Sequence, residues 1–213
     1  MTILVTSPNY DDTTGYLHHY TKELIDFAQS KGKRIFNLER PKLKRREFES
    51  MIIQHNPKLI LLNGHGNEST IYGDKISGTE EALVKENENH TILNNKLIYA
   101  RSCWSAQSLG KSIVKNGGCF IGYTTPFSFW IDTRWSTNPL HDETARLFLS
   151  PSNALSKSLI KGNTVNEALK RSKQNLKDHF VKALSENNMN AVRFLWWDLK
   201  HFVSHGKTDA KLE

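Results

Sequence analysis

A cysteine and a histidine, each closing an apolar run, are the residues of this chain best suited to do chemistry. Residues 96–106 read KLIYARSCWSA: Leu97, Ile98 and Tyr99 suit a short buried strand, and Ser105, Ala106, Leu109, Ile113 and Val114 carry the apolar spacing of a helix starting just after Cys103. Residues 58–66 read KLILLNGHG, an apolar run that ends in His65 between two glycines. In an open parallel sheet, ligands bind at the carboxyl ends of the strands. Sequential strands are usually neighbours, which would leave imidazole and thiol side by side. A thiol with a histidine in reach can lose its proton near neutral pH and become a nucleophile. Either residue alone has a blander explanation, a turn histidine or a small buried hydrophobe. Cys119, at the start of a buried run behind Gly117 and Gly118, takes that explanation.

The elements that would position this pair alternate. Residues 2–7 (TILVTS) suit a first strand, closed by Pro8 and a polar loop. Leu17, Tyr20, Leu24, Phe27 and Ala28 then recur at helical spacing until Gly32. A second strand at 33–38 and a helix at 46–55, with Phe48, Met51 and Ile52 on one face, lead through Pro57 into the histidine strand. Strand, helix, strand, helix, strand is the signature of a parallel sheet wrapped by helices, so the expected fold is doubly wound α/β in three layers, α/β/α. Between the two key strands, 70–76 contains a Gly-Asp turn and suits a small hairpin, and 80–86 suits one helical turn or two. After the cysteine helix comes a strand at 119–124 and then a loop at 125–139 carrying Phe127, Phe129, Trp130 and Trp135, long enough to suggest a functional role. Residues 140–149 suit a helix, Thr164 with Glu167 makes a capping box for a long amphipathic helix, and 190–203 fits a helix or a last strand. One domain over 1–206 with a frayed tail at 207–213 is the expected organisation.

The chain has 213 residues, 38% hydrophobic and 24% charged, the composition of a folded domain rather than a disordered chain. A net charge of +7 would favour anionic partners, yet the basic residues are dispersed. Only Lys42, Lys44, Arg45 and Arg46 cluster, as a solvated loop and helix start would, and no stacking motif or zinc spacing accompanies them, so nucleic acid is not the expected ligand. Two cysteines cannot build a disulfide framework. The amino terminus lacks the basic and apolar regions of a signal peptide and no apolar run approaches a membrane span, so a cytoplasmic protein without a membrane partner is expected. His18 and His19 fit no metal-ligand spacing, no calcium loop is present, and no phosphate-cradling glycine loop follows the first strand, so neither metal nor cofactor is expected.

Apolar strand, His65-Gly66, a crossover, a second apolar strand ending at Cys103, then a Gly-rich turn and a strand reading IGYTTP resembles the caspase-like (clan CD) cysteine peptidases, the group of clostripain, gingipain, separase, metacaspase and the CHAT proteins. Bacterial CHAT and gingipain-like members are the nearest in pattern, through IGYTTP and the later GNTVNEALKRSK helix. The likeness spans 57–183, and it lacks the caspase Gln-Ala-Cys-Arg-Gly run: the context here is Ala100-Arg101-Ser102-Cys103-Trp104. The resemblance implies a thiolate attack by Cys103 on a peptide carbonyl, proton transfer by His65, and an oxyanion held by the backbone N–H groups of Gly66 and Cys103. A thioester acyl-enzyme would form and no third, orienting residue is assigned.

The same resemblance implies that the residue two before the cysteine lines the pocket for the side chain preceding the scissile bond (P1). Arg101 there would pair with a carboxylate and favour an acidic or small polar P1, unless it turns outward into a surface ion pair. Asp132, or Asp11 and Asp12, could instead form an acidic pocket for Arg or Lys, and Trp130 with its aromatic neighbours could wall the groove or form a plain subcore. The expected partners are a protein or peptide substrate and a regulatory protein. Two alternatives share these residues: a non-catalytic α/β interaction module with a vestigial dyad, and a Cys103-dependent hydrolase or acyltransferase acting on a small molecule.

Overall fold

The apolar runs become strands because a parallel strand buried on both faces needs an almost continuous run of apolar side chains. In the computed structural model, which describes residues 1–212, these strands are β1 (Thr2–Ser7), β2 (Arg34–Glu39), β3 (Leu59–Asn63), β6 (Leu97–Arg101), β7 (Cys119–Tyr123) and β8 (Phe202–Gly206). They form one six-stranded sheet in the order β2-β1-β3-β6-β7-β8. Every pairing is parallel except that of β8, which runs antiparallel to β7 along the edge. A separate antiparallel hairpin, β4 (Thr70–Ile76) with β5 (Thr79–Lys85), fills the crossover between β3 and β6.

Helices α1 (Asp12–Ser30), α2 (Arg45–His55), α3 (Leu109–Ile113), α4 (Glu143–Ile160), α5 (Val165–Ser185) and α6 (Met189–His201) complete the three-layer α/β/α arrangement that the alternation of elements anticipates. Alternate strand residues feed two cores. Ile3, Val5, Leu59, Leu61, Tyr99 and Ile121 pack with Leu17 and Leu24 of α1, Phe148 of α4, Leu176 of α5 and Leu195 of α6. On the other face Leu4, Ile60, Leu62, Ile98 and Phe120 pack with Phe48 and Ile52 of α2, Leu109 of α3 and Leu83 of the hairpin.

Several local expectations are corrected. The chain does not enter a helix directly after Cys103. Trp104 adopts the left-handed region (φ 54°), and the Trp104 and Ala106 amides donate to Thr125 O just beyond β7 and to Tyr123 O at its end, both at 3.0 Å, so α3 starts only at Leu109. Residues 80–86 are not helical: β5 buries Leu83 and Val84 through its pairing with β4. The Gly73-Asp74 step is an irregularity inside β4, and the hairpin turns at Ser77 and Gly78, both with positive φ. The carboxyl-terminal ambiguity resolves into α6 followed directly by β8. Residues 207–212 are docked rather than frayed: Thr208 O and Ala210 O accept the Asn166 and Val165 amides at 2.9 Å, and Leu212 is buried. Those two amides open α5, where no helical carbonyl is available to them.

Candidate active site

Strand register determines which residues meet. Asn63 of β3 pairs with Arg101 of β6, and His65 and Cys103 each lie two residues beyond that pair, so adjacent strands deliver them at the same step. The two loops touch through Gly66. A Cβ built on Gly66 would collide with Ser102 Oγ and lie 2.9 Å from Thr70 O and 3.3 Å from Cys103 O, so only glycine lets the histidine loop approach the cysteine turn this closely. The Gly66 N–H is left out of the bridge to Ile71, which is made by Tyr72 N to His65 O and Asn67 N to Thr70 O.

No hydrogen bond links the His65 ring to the Cys103 thiol among the described residues; the ring's partner is a third residue. The loop leaving β1, the strand on the other side of β3, carries Asp11, the N-cap of α1, whose carboxylate accepts from Thr14 N at 2.8 Å. Its second oxygen, Oδ2, lies 2.7 Å from His65 Nε2. Burial opposes ionisation of Asp11, yet the Thr14 amide and hydroxyl and the His65 ring outweigh it and hold the carboxyl below its usual range. A carboxylate at Nε2 keeps the proton on that nitrogen and leaves Nδ1 its lone pair. Adjacent strands β1, β3 and β6 thus end in Asp11, His65 and Cys103, in that order across the sheet.

The Cys103 thiol is partly exposed and lies 3.9 Å from Phe127 O. Burial pushes its pKa up and outweighs the opposing effect of the Phe127 carbonyl contact, with a lesser upward contribution from Asp198. The resting group is therefore a thiol, and a nucleophilic role would need a base to take its proton. Asp198 of α6 accepts from Ser128 N at 3.2 Å, and its other oxygen has no hydrogen-bond partner among the described residues. Burial raises its pKa well above the ordinary carboxylate range.

The other residues singled out from the sequence are placed as follows. Arg101 neither turns outward nor faces an open pocket: it is 2% exposed. Its Nε donates to Asn63 Oδ1 at 2.6 Å, and its two terminal nitrogens to Asn153 Oδ1 at 3.0 Å and Thr21 Oγ1 at 2.9 Å. With Asn63 also bonded to Thr6 O at 2.5 Å, it ties β1, β3 and β6 to α1 and α4 one layer below the site. The expected contact with a substrate carboxylate has no counterpart in this arrangement. Asp132 caps the turn at Thr133–Trp135 and is held below the ordinary carboxylate range by its hydrogen bonds and ion pair with Arg134, so its charge is already matched.

Trp130 is 46% exposed and packs on Phe194 of α6 with ring centroids 5.6 Å apart. Beside it, Pro126, Ser128, Arg193, Phe194 and Trp197 line an apolar cleft of about 360 Å³. Pro126 and Ser128 flank the residue whose carbonyl meets Cys103, although Cys103 itself is not among the residues lining the cleft. Sequence reasoning named Asp11 only as a candidate for an acidic substrate pocket, not as the partner of His65, and missed Asp198 altogether. The signal for Asp11 was its N-cap position directly after the first strand; Asp198 gave none.

Among the described residues no group of three or more His, Cys, Asp and Glu side chains could hold a metal ion, and no helix is long and apolar enough to cross a membrane. Comparison with protein-family models and with curated protein sequences finds no match to the chain.

Proposed function

We propose that the chain is a cysteine peptidase of caspase-like type, working through Cys103 and His65 with Asp11 as the positioning carboxylate. The observation that carries this reading is the delivery of Asp11, His65 and Cys103 to the carboxyl ends of three neighbouring parallel strands, with His65 Nε2 2.7 Å from Asp11. As a peptide carbonyl reaches Cys103, His65 Nδ1 takes the thiol proton and the sulfur forms a bond to the carbonyl carbon. The Gly66 and Cys103 N–H groups stabilise the oxyanion of the tetrahedral intermediate. Collapse of that intermediate breaks the C–N bond, and the imidazolium returns its proton to the departing amine. Water, deprotonated by the same imidazole, then hydrolyses the thioester and restores the thiol. The apolar cleft lined by Phe194 and Trp197 receives an apolar side chain of the substrate.

The raised pKa of Cys103 is the observation that favours a non-catalytic interaction module instead, because an ordinary buried thiol behaves in the same way. Labelling by a peptidyl electrophile library with varied P1 residues, read by mass spectrometry, separates the two. Modification confined to Cys103, abolished in Cys103→Ala and strongly slowed in His65→Ala, is the expected result. Equal slow modification with and without His65 would reject the peptidase reading.

A further inference from the structure

The end of the sheet opposite Cys103 holds a second cavity, of about 300 Å³, lined by Lys58, Asn95, Lys96, Gly118, Lys207 and Lys211 among others. Its lysines come from the starts of β3 and β6 and from the segment after β8. Backbone bonds lock these pieces together: Leu97 N to Lys58 O at 3.0 Å, Cys119 N to Lys96 O at 2.9 Å and Lys207 N to Gly118 O at 2.9 Å. The main chain that carries Lys58, Lys96 and Lys207 is therefore fixed by the sheet itself.

Lys96 is only 9% exposed, unusual for a lysine, and its Nζ donates to the neutral acceptors Asn56 Oδ1 at 2.7 Å and Pro57 O at 3.4 Å. Burial and the neighbouring charge of Lys58 both pull its pKa down. Among the described residues no carboxylate lines the cavity, and Lys58, Lys96 and Lys207 form no ion pair, whereas Lys211 has a partner of its own and Asp209, in the same segment, is near enough for its charge to act on Cys119. Like charges gathered in a concavity, one of them desolvated, are a standing electrostatic cost that an anion of matching valence would remove. A single carboxylate or chloride neutralises too little of it. A chain of phosphates spreads several negative charges over donors of this kind, and lysine binds phosphate as a mobile point charge.

We propose that this cavity binds a polyvalent phosphate group, of an inorganic polyphosphate or of a nucleotide, at a site separate from Cys103 and independent of the peptidase reading. Calorimetric titration of the full chain with sodium tripolyphosphate, and in parallel with ATP, tests it without any activity measurement. One saturable site is expected, weakened by added salt and at least about tenfold by each of Lys58→Ala and Lys207→Ala, the loss of one charge-assisted hydrogen bond. Both variants remove exposed side chains, and unchanged thermal unfolding without ligand verifies that they fold. Lys170→Ala with Lys177→Ala, which removes as much charge from α5, leaves the affinity unchanged. Equal affinity for both probes assigns the site to the phosphate chain alone, and tighter binding of ATP extends it to the nucleoside. Absence of saturable binding, or equal weakening by the α5 pair, would overturn the proposal.

Discussion

Asp11 serves two structures at once, and the two can be separated. One carboxylate oxygen caps α1 through Thr14, and the other holds His65. Asparagine caps a helix about as well as aspartate, so Asp11→Asn keeps the cap while its neutral amide no longer fixes the proton on Nε2. Asp11→Ala loses both, with about 1 kcal/mol of helix stability. Both variants are expected to slow modification of Cys103 by at least about tenfold, within the roughly 10²–10⁴-fold that a positioned general base supplies, while only the alanine variant lowers the unfolding midpoint. A rate for Asp11→Asn equal to that of the native chain would remove Asp11 from the site. Because its carboxyl is held below the usual range, the stability Asp11 contributes is complete above that range and is lost as pH falls through the depressed value.

At the scale of elements, what a residue run discloses depends on how it is buried. The runs of β3 and β6 are legible because both faces are covered, and His65 and Cys103 could be read from them because each follows its strand by two residues. The contact of Asp11 with His65 escaped because the two lie 54 residues apart and meet only through the pairing of β1 with β3. Thr79–Lys85 escaped because its strand character comes from pairing with β4. The inward face of α6 escaped as well: among Leu195, Asp198 and Leu199 the carboxyl is the one polar group, and nothing in the helical spacing says it is buried beneath the Ser128 loop. Its consequence is measurable. A carboxyl whose folded pKa is raised keeps its stabilising proton below the ordinary carboxylate range and destabilises the fold as pH rises from there toward the raised value. Asp198→Asn retains the oxygen that accepts from Ser128 N and has nothing to titrate. Urea unfolding between pH 5 and 8 should show the native chain losing stability relative to this variant, with a slope approaching about 1.4 kcal/mol per pH unit. Parallel curves would mean that Asp198 titrates alike in both states.

At the scale of the whole molecule, the geometry of the candidate site depends on how three strands and two helices are held in common, and Arg101 of β6 bonds to β3, α1 and α4. Its position two before the cysteine fits a substrate pocket as readily as an internal strut, since sequence fixes the position along β6 and not the direction of the guanidinium. In the fold it points inward, desolvation lowers its pKa, and neutral acceptors on β3, α1 and α4 surround it. Arg101→Met preserves much of the volume and orphans Asn63 Oδ1 and Asn153 Oδ1, while Thr21 Oγ1 keeps Leu17 O and Asn63 Nδ2 as partners. The expected loss in unfolding free energy is about 2 kcal/mol, roughly 1 kcal/mol for each of the two abandoned acceptors at the low end of that cost. A strut and a specificity residue then predict different profiles across the electrophile library. Removing a strut slows modification of Cys103 for every P1 residue by a common factor, because Asp11, His65 and Cys103 lose their shared footing together. Loss of a substrate contact would instead abolish one P1 preference at little cost in stability, and would return Arg101 to the substrate pocket.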